Sequence, residues 1–284
     1  MPVWIAVLVL GIIEGITEFL PVSSTGHLLI AEHWLGLRQS DLFNIVIQCG
    51  AVLAVLPLFP DRLNQFLFRW REKPTQDYLF KIAAAFVITC LPMLLIEKNG
   101  FKLPETVQPI AWALLAGGIA FVLVETVLKG RPGRKQITWP IVLAVALGQV
   151  LAGVSPGTSR SGSTILLALI LGLNRVAATE FTFLVGIPTM LAAGGWKIFK
   201  HLRHPAGNPP EDWGMLCLGF LVAAVVSFIA VKWLLRYIQT HTFILFGWYR
   251  IGLALMIGAL VLLAPPKEKT PTPPPAPLVA PVPR

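Results

Sequence analysis

Residues 11–27 read GIIEGITEFLPVSSTGH, and this stretch places two carboxylates, a group of hydroxyls and an imidazole within strongly apolar sequence. Glu14 and Glu18 are four residues apart, so a helix presents both on one face, one turn from each other. Pro21 cannot continue that helix without the loss of a backbone hydrogen bond. The polar run 23–27 suits the start of a new helix. The stretch therefore predicts two helices joined by a polar break, and ionisable groups at membrane depth indicate a functional site.

The composition indicates a membrane protein with several spans. The 284 residues are 55% apolar and only 13% charged, and the mean hydropathy of +0.73 is far above that of a soluble domain. The net charge of +9 would fit a nucleic-acid-binding protein, but the basic residues lie mainly between apolar runs, as in the loops of membrane proteins. We therefore expect the lipid bilayer, and no nucleic acid, as a partner. The isolated cysteines predict no disulfide or metal site.

The apolar runs predict an all-α polytopic protein with about six full spans and two re-entrant broken-helix hairpins. The first hairpin is built from a helix at 2–20 and a short helix at 28–37, and the second occupies 139–174. The predicted full spans are 42–60, 78–97, 108–128, 177–199, 213–235 and 243–264. The Pro-rich segment 265–284 is predicted to be a disordered tail.

The distribution of basic residues predicts the orientation in the membrane. Loops 61–77 and 129–136 are rich in Lys and Arg, whereas the connection 98–107 holds only two lysines. Because basic loops stay in the cytoplasm, both rich loops are expected there and the N-terminus is expected on the outer side. The basic residues at 197–204, which this arrangement places outside, count against it.

A weak internal repeat relates the two hairpins when the sequence is shifted by 136 residues. The matched pairs are Ser23 with Ser159, Gly26 with Gly162, and Leu35 with Leu171. Three full spans separate the hairpins, and because this number is odd the two hairpins must enter from opposite faces. The sequence therefore predicts an inverted-topology repeat whose helix breaks meet near the membrane midplane. The expected single domain is 1–264, with one repeat at about 2–128 and the other at about 139–264.

The two breaks together offer the groups that bind phosphate. The second break contains Arg160, whose planar guanidinium matches phosphate oxygens, and helix N-termini add backbone donors. Candidate binding residues are Ser23, Thr25, Gly26, Ser159, Ser161 and Thr164. Glu14 and Glu18, as paired carboxylates beside a phosphate, predict a divalent cation, Mg²⁺ or Ca²⁺.

Other interpretations of these residues remain open at this stage. The paired glutamates would also suit a proton or sodium site of a transporter. His27 alone would suit a core histidine with its hydrogen bonds satisfied, and the hydroxyls would suit helix packing. Arg250 has two interpretations, because it either lines the site or extends to the membrane interface.

Two segments carry a resemblance to a known family. EGITEFLPVSSTGH at 14–27 and PGTSRSG at 156–162 closely resemble the signature segments of the undecaprenyl-pyrophosphate phosphatases, bacterial lipid phosphatases linked to bacitracin resistance. The resemblance extends from about residue 5 to 264. It implies hydrolysis of undecaprenyl diphosphate to undecaprenyl phosphate and inorganic phosphate, which recycles the carrier lipid for peptidoglycan synthesis. It also implies a location in the bacterial cytoplasmic membrane and a site open to the outer side.

The catalytic roles expected from the residues and the resemblance leave one choice open. Arg160 clamps the diphosphate, and Glu14 and Glu18 hold the cation or order the attacking group. Either Ser24 is the nucleophile with His27 as acid and base, or His27 is itself the nucleophile. Rival functions are a carrier or flippase for a polyprenyl phosphate and a phosphatase for soluble substrates. The expected partners are the polyprenyl diphosphate and, as one option, a second copy of the chain in a homodimer.

Overall fold

The computed structural model describes residues 2–36, 39–99, 107–203 and 211–263. Within these ranges the chain forms eleven α-helices and a short 3₁₀ helix at Leu56–Leu58. The α-helices are α1 (Val3–Thr17), α2 (Ser24–Leu35), α3 (Asp41–Val55), α4 (Pro60–Phe68), α5 (Lys73–Lys98), α6 (Val107–Val127), α7 (Trp139–Val154), α8 (Arg160–Ile170), α9 (Arg175–Arg203), α10 (Trp213–Thr240) and α11 (Ile244–Leu263). The protein is therefore an all-α polytopic membrane protein, as predicted. The predicted tail 265–284 lies outside the described residues.

Five of the helical segments are long and apolar enough to cross a membrane. They are Asp41–Leu58, Lys73–Lys98, Val107–Val127, Arg175–Arg203 and Trp213–Thr240. Each coincides with one of the predicted spans. The sixth predicted span, 243–264, coincides with α11, whose stretch Ile244–Leu260 is among the shorter apolar helices.

The two predicted breaks are present, and each separates a pair of short helices. α1 ends at Thr17, before Pro21, and α2 begins at Ser24, four residues earlier than the predicted 28. The polar run thus forms the first turn of α2 rather than a loop. At about 1.5 Å per residue, α2 and α8 are each shorter than the hydrocarbon core of about 30 Å.

The predicted loop 61–77 is partly helical, which corrects the sequence-based boundary. Helix α4 begins at Pro60, and α5 already begins at Lys73. Proline is favoured at the first position of a helix because the missing N–H is not needed there. Near its end, Leu67, Phe68 and Trp70 are largely exposed. A short amphipathic helix of this kind suits the membrane interface. It contains too few apolar residues to be predicted as a membrane span.

Glycines allow the helices of the two halves to approach closely. A Cβ at Gly15 of α1 would lie 2.8 Å from the carbonyl oxygen of Ala223 in α10. A Cβ at Gly50 of α3 would lie only 2.5 Å from the carbonyl oxygen of Phe220, also in α10. Such small residues are what permits tight helix packing in a membrane.

The helix contacts interlock the two halves of the chain. α1 packs against α10, whereas α7 packs against α5, so each first short helix contacts a long helix of the other half. α3 also contacts α9, and α6 contacts α11. This arrangement places both helix breaks inside the protein, where irregular backbone is tolerated at membrane depth. The repeat bounds 2–128 and 139–264 stay a prediction.

Candidate active site

The two helix breaks are joined directly by side chains of the second break. Nη2 of Arg160 lies 2.5 Å from Oε1 of Glu18, which follows the end of α1. The hydroxyl of Ser161 donates to the carbonyl oxygen of Leu20 at 3.1 Å. Both residues belong to the first turn of α8, which points at the first break because α7 ends at Val154 and the chain reverses through Gly157. The expected meeting of the breaks therefore has a defined geometry.

Glu18 is the centre of this meeting point. Its Oε2 accepts a hydrogen bond from the Ser24 hydroxyl at 2.6 Å, and its Oε1 accepts from the Gln48 amide at 3.3 Å and from Arg160. The side chain is only 4% exposed. Three donors, one of them a guanidinium, thus fix the position of this buried carboxylate.

Glu14 lies one turn earlier on α1 and is also buried. It interacts electrostatically with Glu18 and with Arg160, as the four-residue spacing predicts. Its Oε2 is buried and has no hydrogen-bond partner. Two carboxylates thus face one guanidinium, and one carboxylate oxygen is free to bind a cation. In the described part of the chain, no group of three or more His, Cys, Asp or Glu side chains is gathered for a metal, so these two glutamates would need oxygen ligands from substrate or water.

His27 is not hydrogen-bonded to Ser24. Its Nδ1 contacts the carbonyl oxygen of Ser23 at 2.7 Å, and its Nε2 contacts the Tyr249 hydroxyl at 2.7 Å. The Ser24 hydroxyl instead donates to Glu18. The three-residue spacing permits a Ser24–His27 contact on a helix, but each of the two side chains is hydrogen-bonded to a different partner.

The remaining predicted binding residues differ in their exposure and in the groups that they contact. Thr25 is exposed, whereas Ser23 is buried. Ser159 caps α8 by accepting from the Gly162 amide at 3.1 Å. Thr164 is fully buried, and its hydroxyl donates to the Arg160 carbonyl oxygen at 2.6 Å. Thr164 therefore stabilises the start of α8 instead of facing a ligand, and Ser161 contacts the first break.

The predicted glycine at the first break has a packing role. A Cβ at Gly26 would lie 3.3 Å from Ile110 of α6. Such a separation is tight, so the absence of a side chain lets α2 lie close to α6. Gly26 thereby sets the position of the first turn of α2, on which Ser24 is placed.

Ser23 and Ser159 share an unusual backbone conformation. Their φ values are +75° and +67°, and among the described residues no other non-glycine residue has a positive φ. Residues held in such sparsely populated regions cluster at functional sites. These are the two serines that the repeat aligns, so the same strained residue precedes each short helix.

Arg250 neither lines an open site nor extends to the interface, because its side chain is fully buried. The guanidinium donates to five backbone carbonyl oxygens from both breaks and from α6. They belong to Pro21, Gly157, Thr158, Ala113 and Leu114, at 3.0–3.4 Å. Arg250 thus holds the backbone of one break against the backbone of the other.

Two residues at the site received no role in the sequence-based prediction. Gln48, with Asn44, is one of two amides in a mainly apolar helix, and this polarity is a usable signal. Tyr249 lies 222 residues from His27 in the chain, and nothing in the local sequence indicates that the two side chains meet.

The chain matches the sequence profile of a protein family described as bacitracin resistance protein BacA over residues 7–256. It is 54% identical over 250 residues to an undecaprenyl-diphosphatase of Rhizobium etli, an alignment that covers 88% of this chain and 94% of the relative. An undecaprenyl-diphosphatase of Xylella fastidiosa is 52% identical, with 88% and 95% covered. One of Xanthomonas oryzae pv. oryzae is 49% identical, with 91% and 96% covered. The family match covers most of the chain and includes both helix breaks, and the protein therefore belongs to the bacitracin resistance protein BacA family.

Proposed function

We propose that this protein hydrolyses undecaprenyl diphosphate to undecaprenyl phosphate and inorganic phosphate. The activity would recycle the carrier lipid for peptidoglycan synthesis and confer resistance to bacitracin. The observation that carries the proposal is the partly buried contact of the Ser24 hydroxyl with the Glu18 carboxylate, which is paired with Arg160. A hydroxyl, a carboxylate and a guanidinium thereby lie together inside a membrane protein, and these groups suit the roles of nucleophile, base and phosphate-binding residue. The names of the relatives, undecaprenyl-diphosphatase, support the same activity.

Ser24 is the proposed nucleophile, and Glu18 is the proposed base. As the Ser24 oxygen forms a bond to the terminal phosphorus, its proton passes to Glu18, and the bond to the bridging oxygen breaks. Undecaprenyl phosphate leaves, and water then cleaves the phosphoserine. His27 is less suited to attack phosphorus directly, because both of its ring nitrogens are already in hydrogen bonds.

Arg160 is proposed to bind the phosphate oxygens while it stays paired with Glu18. The pairing uses Nη2, and a guanidinium has five donor hydrogens in all, so the others can serve the substrate. The charge of the guanidinium opposes the negative charge that collects on the terminal phosphoryl group during transfer.

Glu14 and Glu18 are the proposed ligands of a divalent cation, Mg²⁺ or Ca²⁺. The free buried oxygen of Glu14 suits this role. Mg²⁺ is commonly held by only one or two carboxylates together with substrate phosphates. When bound, the cation would neutralise negative charge on the diphosphate.

The activity is tested by phosphate release from undecaprenyl diphosphate by the purified protein. We expect release that stops when a chelator is added and returns with excess Mg²⁺ or Ca²⁺. A polyprenyl phosphate carrier would release no phosphate under any of these conditions. Faster release from a soluble diphosphate than from the lipid would instead favour the soluble-substrate alternative.

We also propose that the protein lies in the bacterial cytoplasmic membrane with the site facing the outer side. In a variant lacking the native cysteines, Glu72→Cys in the first basic loop should react only with reagents that reach the cytoplasm. Lys98→Cys at the opposite end of α5 should react from outside. Labelling of Glu72→Cys from outside would reverse the orientation and the side of phosphate release. The homodimer stays a prediction.

A further inference from the structure

The His27 ring is fixed on both sides by groups from different helices. On one side, Nδ1 lies 2.7 Å from the carbonyl oxygen of Ser23. On the other, Nε2 lies 2.7 Å from the Tyr249 hydroxyl of α11. The two rings are nearly parallel, with an interplanar angle of 4° and a centroid separation of 5.7 Å.

These contacts place a proton on one nitrogen of the imidazole. A carbonyl oxygen only accepts hydrogen bonds, so Nδ1 must carry the proton. In a neutral ring Nε2 is then an acceptor, and the Tyr249 hydroxyl is its donor. A tyrosine hydroxyl both donates and accepts, so in either charge state the ring carries a proton on Nδ1 and directs Nε2 at Tyr249.

The position of Tyr249 is itself fixed by its neighbour in sequence. Arg250 is fully buried and bonded to carbonyl groups of both breaks. Tyr249, by contrast, is 47% exposed, so its ring lies at the edge of the site. The same short piece of α11 thus anchors the breaks and presents a hydroxyl to His27.

We propose that Tyr249 is a positioning residue that, together with the Ser23 carbonyl oxygen, fixes the His27 ring with the proton on Nδ1 and with Nε2 directed toward the site edge. The effect on turnover rests on the proposed function, whereas the orientation of the ring does not. In turnover, His27 can act on a phosphate or water only through Nε2. The Tyr249 hydroxyl must therefore be displaced from Nε2 or remain between Nε2 and that group.

The state of the ring is tested without activity. In protein labelled with ¹⁵N at histidine, the His27 signals are identified by their loss in His27→Ala. Wild type should show Nδ1 protonated and a signal of Nε2 that reflects its hydrogen bond to the hydroxyl. Tyr249→Phe keeps the aromatic ring and removes the hydroxyl, so the Nε2 signal should shift to that of a nitrogen without this hydrogen bond, while Nδ1 stays protonated against the Ser23 carbonyl oxygen. An unchanged His27 spectrum in Tyr249→Phe would overturn the proposal.

The kinetic consequence is tested with undecaprenyl diphosphate. Partners that orient a metal-bound histidine typically contribute about 10- to 100-fold to activity, and we expect Tyr249→Phe to lower kcat by a similar factor and to leave KM unchanged. Tyr237→Phe is the matched control, because Tyr237 stacks on His241 but accepts from that histidine with its backbone oxygen. It should change neither spectrum nor rate. A wild-type kcat in Tyr249→Phe would remove the kinetic role, whereas an inactive wild-type protein would refute the proposed function alone.

Discussion

Glu18→Gln is expected to lower kcat by about 10³-fold, within the range that a general base contributes. The amide keeps the shape of the side chain but cannot take the proton of Ser24, and it removes one of the proposed cation ligands. Ser24→Ala should lose a comparable amount, because it removes the other member of the same pair. The measurement is the rate of phosphate release at saturating lipid, with and without chelator.

The control for Glu18→Gln is Glu32→Gln, the same change at another buried glutamate, which accepts from Asn44. It should keep nearly the full rate. Because removal of one partner from a buried ion pair costs about 3–5 kcal/mol, the thermal unfolding of Glu18→Gln is measured alongside its activity. A folded Glu18→Gln protein that remains active and sensitive to chelator would require a different base and cation ligand.

Arg160→Lys is expected to lower kcat/KM by about 10²-fold or more while the protein still inserts and folds. Lysine keeps the charge, but its ammonium lacks the planar fork that can bind Glu18 and phosphate oxygens together. Arg62→Lys is the matched control, because Arg62 also pairs with a glutamate, Glu180, outside the site. Turnover near wild type in Arg160→Lys would remove Arg160 from the phosphate site.

The sequence predicted the features that depend on local chemistry. Pro21 disfavours the continuation of a helix, and the spacing of Glu14 and Glu18 puts both on one helix face. The spans follow from apolar length alone. The repeat aligns Ser23 with Ser159, and both residues have a positive φ in the structure.

The sequence could not predict the choices that depend on tertiary neighbours. Ser24 bonds to Glu18 rather than to His27 because the end of α1 turns back over the start of α2. Tyr249 reaches His27 across most of the chain. The role of Arg250 depends on backbone carbonyls that carry no sequence signal at all.

The burial of Arg250 also bears on whether the two halves can rock against each other. All of its recorded acceptors are backbone carbonyls, drawn from both breaks and α6. Separating the breaks would leave a charged group without partners in a medium that lacks water, at a cost of several kcal/mol. A carrier that opens alternately to each face needs such a separation. A hydrolase does not, because lipid and phosphate can enter and leave from one side of a rigid centre.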